Sequence, residues 1–277
     1  MKKLLAALCC AIAFCAPANA QEANVSKYKI GDYEFISLNN NTGAVSESLI
    51  INKDALEGYK TEGWNSNSLN YFVLKAGGDI ILFDAGLPLT HGGKIAQRLQ
   101  EAGLKPGDIN IIAITHMHGD HIGGLLDAQG QPLFTNAKVF IAKEEAAHWQ
   151  NNQDANAVLE AYKNQITLFK KNAKITGAVK SAPLFGHTPG HSGFIIKSNG
   201  QQVYVLGDVT HLTAQFANPE ISVSYDVDPK AALKTRKNIL AKVARQKNTH
   251  IAGMHIYKPG LGKLAKAEKG YTFTPAN

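Results

Sequence analysis

Ten histidines are spread along the 277 residues, and three of them fall with an aspartate inside six consecutive positions. They lie in Thr115-His116-Met117-His118-Gly119-Asp120-His121, which directly follows the apolar run Ile109 to Ile114. Side chains alternate along a strand, so a strand here predicts that His116 and His118 leave its end on one side. Gly119 would then let the chain turn sharply and return Asp120 and His121 toward the same point. Three neutral imidazoles and a carboxylate are costly to crowd together away from water unless a cation shares them. Imidazole nitrogen and carboxylate oxygen are both zinc ligands. The spacing therefore predicts two adjacent metal centres, one on His116 and His118, the other on Asp120 and His121.

Two centres need further ligands. Gly186-His187-Thr188-Pro189-Gly190-His191 follows Val179 to Leu184, Gly207-Asp208 follows Val203 to Leu206, and His255 follows Thr249 to Met254. Each of these polar residues stands just past the C-terminal end of an apolar run, where the loops of a rigid scaffold carry function.

The elements that must position these groups alternate between strand and helix. Lys27 to Leu38 reads as a strand pair broken at Gly31-Asp32, and Leu69 to Leu74 with Ile80 to Phe83 reads as a hairpin. Helical spacing is predicted for Gly93 to Ala102, Glu144 to Gln150, Ala155 to Lys171 and Pro229 to Arg245. Val139 to Ala142 and Gly193 to Ile196 read as further strands, and a Gly- and Lys-rich tail closes the chain. Hairpins mixed with strand–helix alternation favour stacked sheets flanked by helices, in one domain.

Composition is that of an ordinary globular protein: 44% hydrophobic, 18% charged, 25 Gly and 10 Pro. Residues 1–20 are set apart. Met1-Lys2-Lys3, the apolar run Leu4 to Ala16 and Ala18-Asn19-Ala20 have the layout of a secretory signal peptide, leaving 21–277 as the domain. The expectation is export to the periplasm or beyond, with no membrane anchor after removal. All three cysteines (Cys9, Cys10, Cys15) lie in that leader, so a metal in the domain must be held by His and carboxylates. The net charge of +7 is scattered, and the lysines of Lys170-Lys171 and Lys258 to Lys269 read as solvated faces. Nucleic-acid binding is not expected.

The set His116, His118, Asp120, His121, His187, Asp208 and His255 resembles the ligand pattern of the metallo-β-lactamase superfamily. That resemblance implies an α+β fold, a four-layer αββα sandwich with metals between its two sheets. It implies that His116, His118 and His187 hold one zinc, that Asp120, His121 and His255 hold a second, and that Asp208 bridges them. His191 matches no ligand position and reads as structural. The resemblance runs most closely to the methyl parathion hydrolase and lactonase-like branch, through Thr115 to Leu126, Gly186 to Phe216 and the tail. Exported β-lactamases that use a Cys ligand do not fit the cysteine-free domain, and those lacking a bridging aspartate do not fit Asp208.

The branch implies a small-molecule substrate and a homodimer. Two zinc ions about 3.5–4 Å apart would share a water whose pKa falls to near 7, giving a hydroxide able to attack a lactone, ester or phosphotriester. Asp120 would orient it and pass a proton to the leaving group. Organophosphate-hydrolysing relatives line the mouth with aromatics, but the loop Leu87 to Gly93 has none. Trp149 and Tyr162 read either as aromatics of that mouth or as packing residues, and His211 either reaches the cleft or faces solvent. Asp84 is either an acceptor for a ligand imidazole or an ordinary strand-end turn. The alternatives to a lactonase-like hydrolase are a β-lactamase and a non-catalytic periplasmic zinc-binding protein.

Overall fold

The computed structural model describes residues 23–277. The leader expected over residues 1–20 lies outside the described residues. Seven strands form the first sheet in chain order: β1 (Val25–Ile30), β2 (Tyr33–Ala44), β3 (Ser66–Ala76), β4 (Asp79–Phe83), β5 (Ile111–Ala113), β6 (Lys138–Ala142) and β7 (Ile166–Phe169). Pairing is antiparallel from β1 to β4 and parallel from β4 to β7. The second sheet runs β13-β12-β11-β10-β9-β8, from β8 (Val179–Pro183), β9 (Ser192–Ser198), β10 (Gln201–Val205), β11 (Thr249–Ala252), β12 (Leu261–Lys266) and β13 (Tyr271–Pro275).

Side-chain alternation builds the layers. On β4, Leu82 faces outward into a core shared with Ile95 and Leu99 of α1 (Ile95–Glu101), while Ile81 and Phe83 face the other sheet. Phe83 meets Phe194 of β9 across the gap at 5.5 Å between ring centroids. Behind the second sheet, Tyr204 and Ile251 pack on Ile239, Leu240 and Val243 of α6 (Pro229–Val243). Both sheets are thus buried on two faces, and the result is the expected α+β sandwich, helix–sheet–sheet–helix.

Two expectations are corrected, and the tail, read only by its composition, takes on a structure. The helix predicted over Ala155 to Lys171 ends early: α4 spans Gln153–Ala161, and Ile166–Phe169 is the edge strand β7. Its β-branched Ile166 and Thr167 pair alongside β6, a tertiary choice that overrides the helical spacing. The Gly- and Lys-rich tail is the ordered hairpin β12–β13. Tyr162 is not at any mouth. It is 0% exposed, and its hydroxyl donates to the Leu125 carbonyl at 2.7 Å while accepting from the Phe134 N–H at 3.1 Å.

While the Leu125 carbonyl keeps its bond from Leu133 N, Tyr162→Phe leaves the buried Phe134 N–H unmatched. It should lower unfolding free energy by about 1–3 kcal/mol in urea titration, with turnover per folded molecule unchanged.

Candidate metal centre

The C-terminal ends of β4, β5, β8, β10 and β11 deliver the polar residues singled out above to one edge of the sandwich. The strand before the histidine cluster is shorter than expected, so His116 and His118 lie on the loop after β5 and not on the strand itself. Gly119 makes no left-handed turn. It opens the short helix α2 (Gly119–Ile122), and that helix returns His121.

His116 Nε2, His118 Nδ1 and His187 Nε2 lie 2.9, 3.0 and 3.2 Å from one another. Four-coordinate zinc with bonds of about 2.0–2.1 Å would set neighbouring nitrogens about 3.3 Å apart, so this triangle fits one ion. A second group joins Asp120, His121 and His255, with Asp120 Oδ2 3.7 Å from His121 Nε2 and 3.3 Å from His255 Nε2. Asp208 stands between them. Its Oδ2 is 3.4 Å from His187 Nε2 and 3.7 Å from His116 Nε2, and its Oδ1 is 3.3 Å from His121 Nε2. Asp208 Oδ1 and His121 Nε2 are both buried without a hydrogen-bond partner. Native interiors rarely leave such atoms unmatched. A cation is the partner this donor set lacks, and all seven predicted ligands are brought together.

The ring orientations are fixed from outside. Thr115 Oγ1 donates to Asp84 and so can accept from His116 Nδ1, 3.0 Å away. Asp84 Oδ2 accepts from His121 Nδ1 at 2.7 Å, Asp226 Oδ1 from His187 Nδ1 at 2.9 Å, and the Ser68 carbonyl from His255 Nδ1 at 3.0 Å. With Nδ1 protonated in these four rings, each turns an Nε2 lone pair inward. Asp84 is therefore the imidazole acceptor. His191 is a brace: Nδ1 donates to the Leu184 carbonyl, and Nε2 accepts the Asp208 N–H at 3.0 Å. Gly207, at φ 56°, is needed there, since a Cβ would fall 2.4 Å from His191 Nε2.

Trp149 does not line the cavity. Its ring meets His118 edge-on at 5.1 Å, and its Nε1 donates to Glu145 Oε1 at 2.6 Å. Glu145, which the sequence reading missed, is buried on α3 (Lys143–Trp149) and accepts three more bonds, from Met117 N, Thr188 Oγ1 and Gly190 N. It clamps the His116–His118 loop to the His187 loop. Tyr225, also missed, supplies an aromatic at the mouth, its ring 5.5 Å from that of His211. No spacing or composition signal marked either residue. His211 is buried and lines the cavity; its Nε2 lies 3.5 Å from Asp208 Oδ2, and neither ring nitrogen has a hydrogen-bond partner.

Electrostatics divide the site. Burial pulls His116 well below the usual imidazole range and His118 to about 4. Burial acts the same way on His121 and His255, but Asp208 and Asp120 outweigh it, raising His121 well above that range and His255 to about 10. The two acids move oppositely: desolvation favours their neutral form, and His121 and His255 overcome it, holding buried Asp208 and half-buried Asp120 low. A second proton, at Nε2 of His121 and His255, is thus favoured by the two acids, and a metal would displace it to reach the Nε2 lone pair.

The sequence model of the metallo-β-lactamase superfamily matches residues 66–253, and the chain belongs to that superfamily of metal-dependent hydrolases. It is similar to the solved hydrolase AbOPH (27% identity, TM-score 0.82, 92% of this chain and 98% of that one). It is also similar to AidC, a dizinc quorum-quenching lactonase solved with a product, N-hexanoyl-L-homoserine (25%, TM-score 0.82, the same coverage). Among curated proteins it is 28% identical to the uncharacterised YobT of Bacillus subtilis (strain 168), over 54% of this chain and 65% of that protein. It is 24% identical to the N-acyl homoserine lactonase of Bacillus cereus, over 57% and 61%. The chain thus spans less than two thirds of the length of both curated relatives.

Two outcomes are expected. Zinc uptake near pH 7 should release protons, and affinity should fall as pH drops because the imidazoles then stay protonated; calorimetry in buffers of different ionisation enthalpy reads both. Glu145→Gln turns an NH₂ toward part of its donor set, so stability should fall by at least about 1 kcal/mol in thermal melts, and zinc retention with it.

Proposed function

We propose that this protein is an exported dinuclear zinc hydrolase that opens uncharged lactones, with aryl esters and phosphotriesters as slower substrates. The observation that carries the reading is seven donors in two groups about Asp208, at the floor of a cavity of about 530 Å³. That is the size of a small-molecule site. The lactonases among its structural and curated relatives support the substrate class. The leader-like residues 1–20 support export, and the described residues contain no helix long and apolar enough to cross a membrane.

Two zinc ions held here would supply Lewis acidity and a nucleophilic water at neutral pH. His116, His118 and His187 would hold one, Asp120, His121 and His255 the other, and Asp208 both. Asp120, about a third exposed, faces the cavity and is suited to carry a proton to the leaving oxygen. His211 stacks on His255 at 5.5 Å and offers an N–H to the substrate's carbonyl oxygen. Asn41, Asn67, Leu69, Leu87 and Tyr225 form much of the remaining wall, and no Lys or Arg among the described residues lines it. A substrate carboxylate, such as that of a β-lactam, would find no cationic side chain there, whereas a neutral lactone needs none.

The test is metal analysis of purified protein beside a panel of acyl-homoserine lactone, aryl ester, phosphotriester and cephalosporin. Two zinc per chain and fastest turnover of the lactone are expected. His211→Ala should lower kcat about 10²-fold, the effect of losing one preorganised donor. Preferred turnover of cephalosporin would favour a β-lactamase, and tight zinc without turnover of any substrate would favour a storage protein; either result overturns the proposal.

A further inference from the structure

Arg236 is 1% exposed, an unusual place for a guanidinium, and it sits on the face of α6 turned toward the centre. Its Nη1 donates to the Ile221 carbonyl at 2.9 Å, and its Nη2 lies 3.6 Å from Asp226 Oδ2. It therefore touches both ends of the segment Ile221 to Asp226. Asp226 Oδ1 accepts a hydrogen bond from His187 Nδ1, and the next two residues follow the His187 loop, with Val227 N donating to the His187 carbonyl and Asp228 N to the Gly186 carbonyl. Asp228 then caps α6 by accepting from Ala231 N. Tyr225, one residue before Asp226, is 44% exposed and forms part of the cavity wall against His211. Neighbouring residues of one strap thus do different work: Asp226 reaches inward to a ligand imidazole, and Tyr225 stands over the space a substrate would enter.

We propose that Arg236 is a positioning residue whose buried guanidinium anchors this strap, so that a single contact on α6 governs both retention of metal at His187 and the fit of substrate against Tyr225. A bare carboxylate in the interior is costly, and the nearby cation keeps Asp226 an acceptor for His187. Removing the cation frees Asp226 to turn away, and Tyr225 moves with it. Metal retention and substrate fit, normally separate properties, become linked through a residue that touches neither. The proposal rests on the dinuclear reading of the site.

The experiment uses full-length zinc-loaded protein with the substitutions Arg236→Met, Arg236→Lys, Asp226→Asn and Tyr225→Ala. Zinc affinity is read by competition with a colorimetric chelator, and KM and kcat with an acyl-homoserine lactone. Arg236→Met should weaken one of the two zinc sites about 10–100-fold, leave the other nearly unchanged, and raise KM. Arg236→Lys should recover most of both losses. Asp226→Asn should reproduce the zinc loss, and Tyr225→Ala should raise KM with zinc affinity intact. Should Arg236→Met fail to fold, Arg236→Lys and Asp226→Asn carry the test, and unchanged zinc affinity in both overturns the anchor. A folded Arg236→Met protein with wild-type zinc affinity and KM overturns it too, whatever its melting temperature. Wild-type protein that holds no zinc would instead overturn the dinuclear reading and the anchor with it.

Discussion

A carboxylate in a protein interior demands positive charge, and Asp208 makes that demand at the edge where the two sheets meet. Five imidazole nitrogens face its two oxygens at 3.2–3.7 Å. Imidazoles that are neutral cannot balance it, and imidazoles that are all protonated would repel one another. The arrangement is comfortable only when mobile cations, protons or metals, share the space. Most of what surrounds it follows: the outer acceptors that set each ring, the brace of His191 on the Asp208 backbone, and the clamp of Glu145 between two ligand loops.

The supports differ in reach. Asp84 and Thr115 act locally, being adjacent to the ends of β4 and β5. Glu145 and Arg236 act from helices on opposite outer layers, α3 behind the first sheet and α6 behind the second. Glu145 is directed at two ligand loops, and Arg236 at the strap whose Asp226 holds His187. The helices therefore do more than cover the sheets; they hold the loops from both sides.

The ligands were legible because each follows an apolar run, so polarity changes within a residue or two, as at Ile114 to His116 and Leu206 to Asp208. The supporting groups were not. Glu145 follows Glu144 in a helix, a pattern that reads as a solvated face, and Arg236 sits among lysines in α6. Both become visible only when distant segments fold over them. Tyr162 and Trp149 show the converse. An aromatic on an amphipathic helix looks the same in sequence whether it meets a ligand, a backbone carbonyl or the back of a histidine ring. The edge strands β7 and β13 were lost for a related reason, since an edge strand carries weak alternation and takes its form from the partner beside it.

The donors are drawn from both sheets: His116 to His121 follow β5 of the first, while His187, Asp208 and His255 follow strands of the second. Any ion seated among them spans the sandwich as a rivet spans two plates. No cysteine occurs among the described residues, so no covalent cross-link can serve that purpose in the domain. Mechanical cohesion and catalytic competence would then share one fastening, and a chelator would loosen the plates as it silenced the enzyme.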